Sequence, residues 1–255
     1  MNFKFITLNI WNGGELFDTS IPFLQHENPD ILALQEVYDK GLSTQERKFR
    51  TMEILHEALP DLKFSNFGGT TIDHGNGDIP WGNAVMSKFP ILKKNNILFE
   101  DKVGDFDFVK RNDYQNVTQG MCGATIELDG KKLDVYSIHG VWGTDGLDSP
   151  ERTAMGEKII ASLKGVSPLI LAGDTNLYPD TQFVKDICRQ LQLTNIFGTE
   201  LTSTFNMKHK DPEKTGYATS PVDMVMATSE FKVISKEMPL VDASDHYPLK
   251  VIFNL

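Results

Sequence analysis

Residues 30–37 (DILALQEV) form a continuous apolar run that ends in polar positions, the pattern of a strand buried on both faces. Phe3 to Ile10 is aromatic and β-branched enough for another strand. Two strand-like runs, 119–128 and 132–138, flank Asp129-Gly130 and predict a hairpin closed by a tight primed turn. Further strands are expected at 64–67, 82–87, 91–99, 168–172, 222–227, 231–235 and 247–253. Phe49, Met52, Leu55 and Leu59 recur at helical spacing, so a helix is expected over 43–59, with Ser43 and Glu46 as a capping box. Other helices are expected over 20–27, over 150–163 opening on Pro150, and over 180–191. The polar stretches 68–81, 100–117, 140–149 and 199–221 read as loops. No repeat, low-complexity tract or linker divides the chain, so residues 1–255 are expected to form one domain. Many strands, few helices and adjacent hairpins predict an α/β fold of two packed sheets flanked by helices.

Composition narrows the setting. The chain has 255 residues, 40% of them hydrophobic, enough for a sizeable core. No stretch approaches the ~20 apolar residues of a membrane span, so no membrane association is expected. Met1 to Asn12 reads as a first strand and not as a signal peptide. Cys122 and Cys188 make no disulfide framework; two buried thiols and a cytoplasmic location are expected. The net charge is −10, and Lys93-Lys94 and Lys131-Lys132 are only short basic pairs. Binding long duplex requires cations that displace counterions, so tight duplex binding is not expected. No feature points to a protein partner.

Four polar stretches sit at expected strand ends: Asn9 to Asn12, Gln35-Glu36, Gly173-Asp174-Thr175-Asn176 and Ser244-Asp245-His246. Carboxylates and amides are the hard oxygen donors that magnesium prefers. An imidazole beside carboxylates suits positioned proton transfer. Each residue also has a plainer reading. Glu36 could be a rim charge, Asn9 a turn cap and the 173–176 motif an Asx turn. Asp223 could be a surface residue, His139 a core histidine, and Trp11, Trp81 and Trp142 core filling.

Taken together, these motifs, from Phe3 to Pro248, resemble the endonuclease/exonuclease/phosphatase superfamily of metal-dependent phosphoesterases. The resemblance implies a four-layer α/β/β/α sandwich. It implies Mg2+, replaceable by Mn2+, on Glu36 with Asn9 and Asp245 nearby. Asp174 would orient or deprotonate the attacking water and Asn176 would hold the phosphate. His246 would contact the scissile phosphate and Asp223 would hydrogen-bond His246. His139 would serve a non-bridging oxygen or the leaving group, with Asp78 as a candidate partner. Asn83, Arg152 and Trp142 are candidate substrate contacts; an ion pair on the helix is the other reading of Arg152. The expected substrate is a small phosphoester or a short nucleic-acid end. A general nuclease with Arg111 and Arg152 in a local positive cleft, and a non-catalytic phosphate-binding module, are the alternatives.

Overall fold

The structure is a computed structural model that describes residues 1–210 and 220–255; the middle of the expected 199–221 loop lies outside them. Seven strands make one mixed sheet: β1 (Asn2–Asn9), β2 (Ile31–Tyr38), β3 (Phe64–Asp73), β4 (Ile79–Ser87), β6 (Gly104–Phe106), β12 (Lys232–Glu237) and β13 (Leu249–Asn254). Their order is β12-β13-β1-β2-β4-β3-β6. Six make the second: β5 (Ile91–Leu98), β7 (Gly120–Leu128), β8 (Lys131–His139), β9 (Leu169–Asp174), β10 (Thr194–Asn195) and β11 (Asp223–Ala227). Their order is β10-β11-β9-β8-β7-β5. The helices are α1 (Phe17–Glu27), α2 (Thr51–Ala58), α3 (Pro150–Leu163) and α4 (Gln182–Leu191).

Three apolar layers hold the sandwich together. Phe3, Phe5 and Val251 of the first sheet meet Ala124, Val135 and Ile170 of the second. Leu24 of α1 and Met52 and Leu55 of α2 cover Leu8, Leu32 and Leu34 on the outer face of the first sheet. Ile159 and Leu163 of α3, with Val184 and Ile187 of α4, cover Ile138 and Leu171 on the outer face of the second. This is the four-layer arrangement expected. The strands β1 and β2 are buried at almost every position because both faces of the sheet are covered.

Side chains cap two helix starts. Ser149 Oγ accepts from Arg152 N at 3.3 Å at the head of α3, and Pro150 follows it. Thr181 does the same for α4. Among the described residues, no helix is long and apolar enough to cross a membrane.

Several boundaries differ from expectation. The helix expected from Ser43 begins as a 3-10 turn at Arg47–Arg50 and becomes α-helical only at Thr51. No capping box forms, because Gln45 Oε1 accepts the Leu42 N–H at 2.6 Å and folds 42–45 into a turn. The loop expected over 68–81 shrinks to the turn 74–78, since β3 runs on to Asp73 and β4 begins at Ile79. The stretch 100–117 contains β6 and a second 3-10 turn, Tyr114–Asn116.

Candidate active site

Two parallel strand pairs bring the polar motifs to one edge. β1 runs parallel to β2, pairing Asn9 with Gln35. β8 runs parallel to β9, pairing His139 with Asp174, and β11 lays Asp223 beside Asp174 from the other side. Asn9 joins the two sheets. Its Nδ2 donates to Glu36 Oε1 at 3.1 Å and to Asp174 Oδ2 at 3.2 Å. Behind it, Gln35 Nε2 donates to Ser137 Oγ at 2.8 Å, and Ser137 Oγ donates to Leu34 O at 2.7 Å. These buried bonds fix the two sheets in register below the site.

Glu36 sits at a bulge between Leu34 and Val37 with φ +59, a left-handed conformation that non-glycine residues seldom adopt. The Asn12 N–H donates to its Oε2 at 2.6 Å. Burial raises the Glu36 carboxyl, and Asp245 raises it further. Asp245 Oδ1 accepts from Ser244 Oγ at 3.2 Å, while its Oδ2 lies 2.5 Å from Lys210 Nζ.

The two histidines differ sharply. His246 Nδ1 lies 2.8 Å from Asp223 Oδ2, and its Nε2 lies 3.8 Å from Asp174 Oδ2. Burial pulls the ring down, but Asp223 and Asp174 outweigh it and hold the imidazolium up to about 9. His139 Nε2 lies 3.6 Å from Asp174 Oδ2 and accepts the Trp142 indole N–H at 2.9 Å. An indole nitrogen only donates, so Nε2 must accept and the His139 proton sits on Nδ1. Burial pushes His139 down to about 4 against the pull of Asp174. One imidazole is therefore cationic at neutral pH and the other neutral. Burial raises Asp174, which His246 and His139 counter. Its Oδ1 accepts the Asn176 N–H at 2.9 Å, with Asn176 at φ +55.

The structure thus brings together Asn9, Glu36, His139, Trp142, Asp174, Asn176, Asp223, Asp245 and His246. It gives Asn83 and Arg152 other partners. Asn83 Nδ2 donates to Gly120 O at 2.9 Å, tying β4 to β7. Arg152 is buried at the start of α3 and donates to Val141 O at 3.2 Å and Leu147 O at 2.5 Å, holding the 140–149 loop. Asp78 does not reach His139; it pairs with His74 at the exposed 74–78 turn. Lys210 is the site residue that the sequence did not reveal, since one lysine in a polar loop carries no signal.

The sequence profile described as Endonuclease/Exonuclease/phosphatase family matches residues 6–246. The chain belongs to this family. Endonuclease/exonuclease/phosphatase members are phosphoesterases or nucleases. No curated protein matches the chain in sequence. Among solved structures, an endonuclease/exonuclease/phosphatase from Beutenbergia cavernae is 18% identical with a TM-score of 0.73, over 100% of this chain and 72% of that one. A family protein from Leptotrichia buccalis is 20% identical with a TM-score of 0.71, over 99% of this chain and 100% of that one. The mannosyl-6-phosphatase Bt3783 of Bacteroides thetaiotaomicron is 17% identical with a TM-score of 0.68, over 99% and 100%. At these identities the likeness establishes the shared fold.

The donors of this endonuclease/exonuclease/phosphatase site suit a divalent cation. Asp174, Asp223 and His246 offer atoms within 4.8 Å of one another and could hold a metal ion. His246 Nδ1, however, is already bound to Asp223, and a metal there would have to displace a proton from the ring. The side of the site with Glu36 and Asp245 offers carboxylate oxygens, and there a cationic group, the Lys210 ammonium, already sits. Oxygen donors around a positive charge fit a hard cation better than the histidine group does.

Proposed function

We propose that residues 1–255 act as one catalytic domain, a magnesium-dependent phosphoesterase that transfers the phosphoryl group directly to water; Mn2+ would substitute. The observation that carries this reading is Asp174, buried between a neutral His139 and a cationic His246 and linked through Asn9 to Glu36. Glu36 and Asp245, with Asn9 beside them, would hold the ion. When bound, it supplies Lewis-acid polarisation of the phosphoryl oxygen and neutralises developing charge.

The chain's own groups do the rest. Asp174 orients the attacking water and accepts its proton; burial has already raised its affinity for one. His246 donates a hydrogen bond from Nδ1–H to Asp223 and stays protonated, which leaves Nε2–H for a phosphoryl oxygen, and its positive charge offsets the charge that builds there. Asn176, held beside Asp174, would hold the phosphoryl group. His139 borders the phosphate as a neutral ring, its Nε2 available to substrate once the Trp142 indole yields.

A small phosphoester or a short nucleic-acid end is the substrate. Net charge −10 opposes a polyanion. The arginines that a nuclease cleft would need are engaged elsewhere. Arg111 Nη2 pairs with Asp113 at 2.6 Å, and Arg152 is buried in its loop. The phosphatase Bt3783, similar in fold, acts on a small sugar phosphate according to its name, which supports the same direction. The test is a panel of phosphomonoesters, small phosphodiesters, short single strands and plasmid, each with Mg2+, Mn2+ or EDTA. Turnover of small esters that EDTA abolishes and Mg2+ restores is expected. Efficient plasmid nicking at physiological salt with little small-ester hydrolysis would leave the nuclease reading standing. Phosphate binding with no turnover of any ester would leave the binding module.

A further inference from the structure

Lys210 belongs to a segment that is fastened to the site. Thr204 O accepts the Tyr247 N–H at 2.7 Å, and Asp245 O accepts the Asn206 N–H at 2.8 Å. Asn206 Nδ2 also donates to Ser244 O at 2.9 Å, and His209 Nε2 lies 2.7 Å from Asp242 Oδ1. The segment delivers the Lys210 ammonium to 2.5 Å from Asp245 Oδ2, with its side chain only 21% exposed and its Nζ 5.1 Å from the Phe205 ring centroid. Burial pulls this ammonium towards losing its proton, but Asp245, Glu36 and Asp174 outweigh burial and hold it charged. Lys210 in turn lowers the Glu36 carboxyl that burial and Asp245 raise. Two buried carboxylates repel each other, and an ammonium held against one of them offsets that repulsion.

We propose that Lys210 is a tethered counter-cation that balances Glu36 and Asp245 in the metal-free protein and competes with the divalent ion for them. The inference rests on the assignment of the ion to those carboxylates. Metal loading then requires the ammonium to leave Asp245, so Lys210 sets the divalent concentration at which the site fills. The lysine is a positioning residue for the metal and need not touch the reacting atoms.

The test is calorimetric titration of the metal-stripped full chain with Mn2+ and Mg2+ alone, with thermal unfolding in EDTA alongside. Lys210→Met should bind Mn2+ about tenfold tighter than wild type or better, and its metal-free form should unfold at a lower temperature. Lys208→Met removes the same charge from the same segment, where Lys208 lies 3.4 Å from Asp242, and should change neither reading. Should the methionine variant fail to fold, Lys210→Gln, which can still hydrogen-bond Asp245, gives the same comparison. Unchanged or weaker metal binding in the Lys210 variants overturns the inference while leaving the carboxylate site intact. So does equal tightening by Lys208→Met. No binding by wild type or by either Lys210 variant overturns the carboxylate assignment as well.

Discussion

Replacing Asp223 with asparagine tests the division between the two histidines. The variant keeps a hydrogen-bonding oxygen beside His246 Nδ1 but removes the charge 2.8 Å away. Burial alone pulls His246 below its ordinary 6.5, and Asp223 comes first among the groups that raise it to about 9. Without that charge, the ring should titrate well below 9, back towards its ordinary 6.5. The sign follows from linkage. His246 is raised on folding, so its contribution to stability is complete below pH 6.5 and is lost as pH rises through about 9. A rise from 6.5 to about 9 corresponds to about 3 kcal/mol below pH 6.5 and about 2 kcal/mol at pH 7.5. His139 works in the opposite sense. It is lowered to about 4, so the unfolded chain takes the proton first and stability falls as pH drops from 6.5 towards 4. With EDTA present, urea unfolding of the wild type should therefore lose stability on both sides of neutrality. Asp223→Asn should lose the alkaline decline and keep the acid one. The direct assay is NMR titration of the His246 ring in the metal-free protein. A ring that still titrates near 9 in Asp223→Asn would refute the reasoning and make Asp174 the controlling charge. A wild-type ring that titrates below 7 would refute the asymmetry itself.

Other variants probe the remaining roles. Asp174→Ala and His246→Ala should each lower kcat by at least ~10²-fold with the fold intact by circular dichroism, the scale of a lost proton-transfer group; near-normal turnover by folded Asp174→Ala would end the proposed mechanism. Arg152→Met should lower stability by about 1–3 kcal/mol in urea unfolding, because it strips the buried Val141 carbonyl and the part-buried Leu147 carbonyl of their donor; lost activity at unchanged stability would instead make Arg152 a phosphate contact. Gly156→Ala should cost about 1–3 kcal/mol by the same measurement, since its Cβ would stand 1.6 Å from Phe183 Cε2 where α3 meets α4.

The strands were legible where the apolar run was unbroken, as in β2 and in the β7–β8 hairpin around Asp129-Gly130. Where glycine enters a strand, the local pattern reads as a loop. Gly68 and Gly69 lie inside β3, at a register shift against β4, and a Cβ on Gly82 would stand 2.1 Å from Gly68 O. The glycines there mark close strand approach and a bulge, which local sequence does not separate from a loop. The helical period through Phe49, Met52 and Leu55 was real, and all three are buried. Its start was not legible, because the Gln45 side chain claimed the backbone that a helix needed. In the site, the strand-end motifs were legible as local patterns. The Trp142–His139 bond and the place of Lys210 were not, because both depend on which loop the fold lays against which strand end. Asp78 shows the converse error: near Trp81 in sequence, it pairs with His74 four residues back.

Topology explains why the chemistry collects where it does. One of the parallel pairs of the first sheet, β1–β2, and the pair β8–β9 of the second end on the same edge, and the Asn9 amide spans the two ends. Parallel strands that end together leave backbone groups unpaired beyond the last ladder bond, and loops leaving such an edge diverge around a crevice. The chain must turn sharply there, and Trp11, Glu36 and Asn176, with φ of +60, +59 and +55, all do so with side chains that glycine would lack. Glycine would relieve that strain of about 1–3 kcal/mol per residue, but it would remove the carboxylate from the bulge and the amide from its place beside Asp174. The surrounding bonds hold these conformations in place: the Asn12 N–H on Glu36, the Asn176 N–H on Asp174, and the Asn176 amide on Gly140 O at 3.1 Å. Left-handed residues also occur at ordinary turns and helix ends such as Asn28, Asp129 and Gln192, but at Glu36 and Asn176 they place a side chain of the site, and the register bonds of Gln35 and Ser137 beneath hold the two sheet edges together.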